Sequence, residues 1–174
     1  FFGFFQGSHN KAVTSEHGYA PPSGLADFVG FDGGAVGFAY QAIKPEQLEF
    51  GGIDISGFQL YTGQGFIAKA CSQTLVERHQ IVVGGPEYDG LREAVRRANG
   101  EPAWHAVSGK VLDGNGQPVA GAYVHATDGG SGYLSRTITA SDGAYTIHVP
   151  DAGATLVPEK RGYPASTGFA VTGT

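Results

Sequence analysis

Across residues 107–149 the chain reads VSGKVLDGNGQPVAGAYVHATDGGSGYLSRTITASDGAYTIHV, with apolar or small side chains recurring at every second position. A period of two sends alternate residues to opposite faces of an extended strand, so the pattern suits a sheet with one buried face. Val107, Gly109 and Val111 share one face of a first strand within 104–113. Ala120, Ala122, Val124 and Ala126 share one side of a second, with Tyr123 and His125 on the other. Residues 134–140 form a third, and in a fourth Tyr145, Ile147 and Val149 point inward while Thr146 and His148 face out. Gly114-Asn115-Gly116-Gln117, the Gly-rich run 128–132 and Ser141-Asp142-Gly143 supply the turns, since Gly, Asn and Asp tolerate or stabilise turn backbone. Pro118 opens a strand where no ladder donor is needed. With further strands at 154–157 and 169–171, the spacing predicts an antiparallel sandwich.

The stretches VSGKVLDGNGQPVAGAYV (107–124) and SDGAYTIHVP (141–150) resemble the carboxypeptidase regulatory-like domain, over about residues 105–172. Gly162-Tyr163 is similar to that family's Gly-Tyr near its end, whereas Pro158 interrupts what the family has as strand. The resemblance implies a seven-stranded antiparallel prealbumin-like sandwich. It also implies a generally non-catalytic module that flanks enzymes, transporters and secreted proteins. Intradiol dioxygenases have a similar strand–turn–strand opening and bind iron through two Tyr and two His. Tyr123, His125, Tyr145 and His148 are of those types, but the inward Tyr145 and outward His148 predict that they do not converge.

Residues 1–101 form a β-rich region ahead of the 104–174 sandwich, with 102–103 as a short linker, so the fold class is mainly β with one or two short helices. The best helix spans about 86–99 (PEYDGLREAVRRAN). Pro86 suits its first position, Glu87 and Asp89 suit the positive end of the dipole, and Leu91, Ala94, Val95 and Ala98 make an apolar stripe. Arg92, Arg96 and Arg97 read as a small solvated basic face. Upstream, residues 25–70 are β-like, with Val36, Phe38, Tyr40 and Ala42 alternating against small residues. Gly33-Gly34, Gly51-Gly52 and Gly63-Gln64-Gly65 mark turns or bulges. Neither phosphate-binding glycine signature occurs. Asp32 and Asp54 read as Asx turns. Residues 71–83 are ambiguous: Ser72 as N-cap suits a short helix, and Ile81-Val82-Val83 suits a strand.

Composition narrows the function classes. Glycine is 29 of 174 residues, more than twice the usual share, without a collagen period. A net charge of −5 argues against non-specific nucleic-acid binding. No apolar run is long enough to span a bilayer as a helix. The chain has no Met and begins at Phe1, which fits a chain trimmed to its ordered part or, the favoured reading, a protein whose leader was removed and that lies in the periplasm, at the cell surface or outside the cell. A single Cys71 rules out an internal disulfide and reads as a small buried hydrophobe rather than a nucleophile paired with His79.

No catalytic, cofactor-binding or metal-binding set emerges. His9, Glu16 and His17 lie in a loop whose spacing forces no convergence. His9-Asn10-Lys11 is similar to the His-x-His strand end of polymerase-and-histidinol-phosphatase metallohydrolases, but Lys stands where the second imidazole belongs. His105, His125 and His148 read as solvent-facing strand residues. The apolar arm formed by Phe1, Phe2, Phe4 and Phe5, together with Trp104, is the expected docking surface. The leading expectation is a non-catalytic structural or docking subunit, binding other protein subunits of an extracytoplasmic assembly and touching a membrane at most peripherally. One alternative is a carbohydrate-binding accessory module stacking sugars on Trp104, Tyr123 and Tyr133. Another is a metal-dependent hydrolase or dioxygenase-like enzyme.

Overall fold

The computed structural model describes residues 4–6, 24–26, 28–32, 35–43, 48–55, 58–62, 70–71, 73, 79–129 and 133–172. Seven strands precede the helix: β1 (Phe4–Gln6), β2 (Gly24–Ala26), β3 (Phe28–Asp32), β4 (Gly37–Ala42), β5 (Leu48–Ile55), β6 (Phe58–Thr62) and β7 (His79–Gly84). Helix α1 (Glu87–Ala98) follows, then β8 (His105–Lys110), β9 (Tyr123–Thr127), β10 (Tyr133–Ile138), β11 (Ala144–Val149), β12 (Ala154–Glu159) and β13 (Phe169–Val171). The architecture is mainly β, and among the described residues every strand pair is antiparallel.

The C-terminal half is the expected sandwich. A four-stranded sheet, β10-β9-β12-β13, faces the pair β11-β8. Val124, Ala126, Ala154 and Leu156 from the first meet Tyr145, Ile147 and Val149 from the second, with Val107 and Val111 packed at the side. Burying such aliphatic side chains stabilises by roughly 1.5–3 kcal/mol each, which is why the period-two pattern is decisive here. Six strands and a Leu112↔Pro118 bridge are seen among the described residues of this half. Pro158 lies inside β12, opposite Val124. It is tolerated because β13 pairs only with residues 154–156, so at Pro158 the strand has a single neighbour and needs no second ladder donor.

The tight turns expected at 114–117 and 141–143 both form, by side-chain capping. Asp113 Oδ1 accepts the amides of Asn115 and Gln117, each at 2.8 Å. Asp142 Oδ1 accepts the Ala144 amide at 3.0 Å, and this bond, with Lys110 next, holds its carboxyl below the usual range. Gly143 has φ of +76°, and a Cβ there would lie 2.6 Å from the Val111 carbonyl. The turn therefore requires glycine.

Ahead of the sandwich, β1-β3-β4-β7 make one sheet and β2-β5-β6 another. The Gly51-Gly52 pair falls in a register shift of β5, as expected of a bulge. The ambiguous stretch resolves as strand β7 at its end, while Ser72 lies outside the described residues. Helix α1 packs on the first sheet through Leu91, Ala94 and Val95, against Ala39 and Val82, and reaches Tyr133 of β10 in the same cluster. Its approach to β7 is very close. A Cβ on Gly84 would sit 2.8 Å from the Gly90 carbonyl, and one on Gly90 would sit 2.7 Å from the Gly85 carbonyl carbon. Among the described residues no helix is long and apolar enough to cross a membrane.

Candidate interaction surface

Close helix packing selects which face of β4 and β7 is covered. The alternation in β4 is present, but the small or flat positions Gly37, Ala39 and Gln41 are the buried ones. The large side chains look the other way. Val36 is 50% exposed, Phe38 38%, Tyr40 36%, Ile81 74% and Val83 67%. The register sets Phe38 opposite Val83 and Tyr40 opposite Ile81. Residues directly opposite in a ladder share a face, so Phe38 with Val83 and Tyr40 with Ile81 make one exposed apolar patch across β4 and β7. His79, the one titratable group of β7, stacks on Tyr40 with ring centroids 5.1 Å apart. Contiguous apolar area of this kind marks interaction sites on soluble proteins. The β-branched run 81–83 signalled a strand, but not that two of its members would be left at the surface.

The other polar constellations are structural ties. Asp89, in the first turn of α1, accepts the Ser135 hydroxyl (2.7 Å) and the His148 amide (2.9 Å) at Oδ1. Its Oδ2 lies 2.7 Å from His148 Nδ1. The three residue types are those of a hydrolytic triad, yet the acid is in the middle and the hydroxyl points to it rather than to the imidazole. The imidazole is therefore not the group that meets the Ser135 hydroxyl. Glu87 similarly meets Arg136 at 3.1 Å. The first-turn acids of α1, expected only to complement its dipole, tie the helix to the sandwich.

His125 departs from its expected exposure: only 5% of it is accessible. Its outward face of β9 is covered by neighbouring side chains, not by water. Nδ1 shares a 2.9 Å hydrogen bond with the Tyr133 hydroxyl, and Glu159 lies 3.4 Å from Nε2. Burial, helped by the Arg136 charge, brings the imidazole down to about 4, so it is neutral at pH 7. Burial likewise raises the Tyr133 hydroxyl far above its ordinary value. Of the four residues of the dioxygenase comparison, Tyr123 and His125 are neighbours on β9 with ring centroids 6.0 Å apart, whereas Tyr145 lies in the core and His148 is held by Asp89. Among the described residues no three His, Cys, Asp or Glu side chains gather as a metal site. His9, Glu16 and His17 lie outside those residues.

Trp104 is half-buried, with the guanidinium carbons of Arg96 and Arg92 4.3 Å and 4.8 Å from its ring centre. Arg96 is itself only 7% exposed, paired with Glu93 and Glu101 and donating to the Pro102 carbonyl. The expected solvated arginine face is thus largely an internal one, and it fastens the linker onto the helix; Arg97 alone stays exposed. Of the proposed sugar platforms, Tyr133 is buried and Tyr123 carries Arg136 over its ring. In the aromatic arm, the backbone of Phe4 and Phe5 forms β1 on the edge of β3, and Phe1 and Phe2 lie outside the described residues. Cys71, expected to be buried, is exposed at a turn with φ of +58°.

No curated protein and no solved structure matches the chain. The model of the carboxypeptidase regulatory-like domain matches residues 106–174, less than half of the chain but the whole of the sandwich beyond the first residue of β8. That family is a non-catalytic β-sandwich module, and the fold of the matched residues is of that type.

Proposed function

We propose that this chain is a non-catalytic docking subunit: a regulatory-like sandwich that holds a small helix-backed sheet and presents its apolar face to protein partners. The observation that carries this reading is the exposed set Phe38, Tyr40, Ile81 and Val83 on one face of adjacent strands, with exposed Val36 just ahead of β4. The family of residues 106–174 supports a module without chemistry of its own. The Asp89 and His125 constellations agree, because their polar atoms are spent on holding elements together. The setting we infer is an assembly outside the cytoplasm, as the secreted relatives implied by the resemblance suggest.

Photo-crosslinking in the source organism tests the reading. A photoreactive residue at position 38 or 81 is expected to give protein adducts, and one at the exposed helix position 97 is not. Adducts no more frequent at 38 and 81 than at 97 would sink it. Fractionation showing the chain confined to the cytoplasm would overturn the setting alone.

A further inference from the structure

We infer that β7 is a self-association edge, on which a second copy of this chain adds its own β7 antiparallel about a two-fold axis. The inference rests on the docking reading and names the occupant.

Among the described residues β7 has one strand neighbour, β4, and occupies the end of its sheet. In an antiparallel ladder, alternate residues spend their main-chain groups on one neighbour and the rest direct theirs to the other side. Natural edges are normally blunted by shortness, by charge, by proline or by a bulge. β13 has three residues. β8 ends in His105 and Lys110, which pair with Asp151 and Asp142. β10 is overlain by α1 through Tyr133 and the Ser135–Asp89 bond, and β11 is met by the same helix, whose Asp89 takes the His148 amide. β7 has none of them. Its six residues, HQIVVG, include no proline and no Lys, Arg, Asp or Glu, and its ladder with β4 runs unbroken over six pairs.

The same strand carries the two most exposed large apolar side chains among the described residues, Ile81 and Val83. A two-fold axis through Val82 sets Ile81 of each copy opposite Val83 of the other. This arrangement makes two β-branched cross-strand pairs and keeps both apolar faces on one side. A register one residue away would set outward residues opposite inward ones and lose both pairs. Neither β4 nor β7 carries a Lys, Arg, Asp or Glu, so the paired copies bring no like charges together there despite a net charge of −5. Two six-residue strands bury less than the roughly 1,200 Å² of a stable protein–protein interface. The dimer is therefore reversible and concentration-dependent.

Sedimentation of the full chain across a wide concentration range tests this. The mass is expected to rise from 18.0 kDa toward twice that value, and Ile81→Lys, at an exposed position, is expected to weaken association about tenfold or more. In a Cys71→Ser background, mixing an Ile81→Cys chain with a Val83→Cys chain is expected to give an oxidised heterodimer in preference to either homodimer. A chain that stays monomeric and forms no mixed crosslink overturns the inference, as does a dimer that Ile81→Lys leaves intact. If the chain is monomeric while photo-crosslinks persist at positions 38 and 81, self-pairing fails and the docking reading stands; loss of both removes both.

Discussion

His125 shows how far a single residue's environment departs from its position in a pattern. It stands on the outward side of β9, yet Tyr133, Arg136 and Glu159 close over it. Its folded value of about 4 lies below the unfolded value of 6.5, so between the two the unfolded chain binds the proton more readily. The stability it contributes is complete above pH 6.5 and is lost as the pH falls toward 4. The loss amounts to at most about 3 kcal/mol, reduced by the nearby Glu159 carboxylate. Denaturant titrations of the native chain and of His125→Gln between pH 7 and pH 4 check this: the native curve is expected to fall more steeply across that window. Parallel curves would show that the imidazole is not held neutral by burial.

At the scale of elements, α1 is the hinge of the design, and its contact with β7 is made by glycine against glycine. Gly90→Ala in an ordinary helix interior would stabilise by up to about 1 kcal/mol. Here the new methyl meets Gly85 backbone atoms at 2.7 Å and 2.8 Å, which cannot swing aside like a long side chain. A net destabilisation of about 1–3 kcal/mol is expected, read as a lower denaturant midpoint. An unchanged or higher midpoint would mean that the helix sits farther from β7. The helix itself was legible from its apolar stripe and first-turn acids. What those acids bind was not, because Ser135 and His148 lie 46 and 59 residues away in sequence.

For the whole molecule, the helix joins what sequence pattern divides at residues 101–104. Phe28, Ala39 and Val82 from the first sheet, four helix residues and Tyr133 from the sandwich share one buried cluster. Asp89 and Arg96 add polar ties on either side of it. Elements sharing a core unfold together, so calorimetry of the full chain is expected to show one transition. In the same measurement Asp89→Asn is expected to shift that transition down by several degrees, since it weakens three hydrogen bonds at a buried site. Two resolved transitions in the native chain would show the cluster too weak to couple the halves.

Local information was sufficient wherever a structural choice is settled within a strand or turn. Period-two alternation, Asp113 and Asp142 at the turns, and Gly143 where no Cβ fits determine the sandwich, because each acts over a few residues. Tertiary structure decided which face of each strand is covered. Alternation in β4 says that its two faces differ, but only the arrival of α1 against Gly37, Ala39 and Gly84 turns Phe38, Tyr40, Ile81 and Val83 outward. It also buried His125 and drew His148 to Asp89. The physical reason is the same each time: burial belongs to whatever packs against a residue, and a sequence period does not name that neighbour.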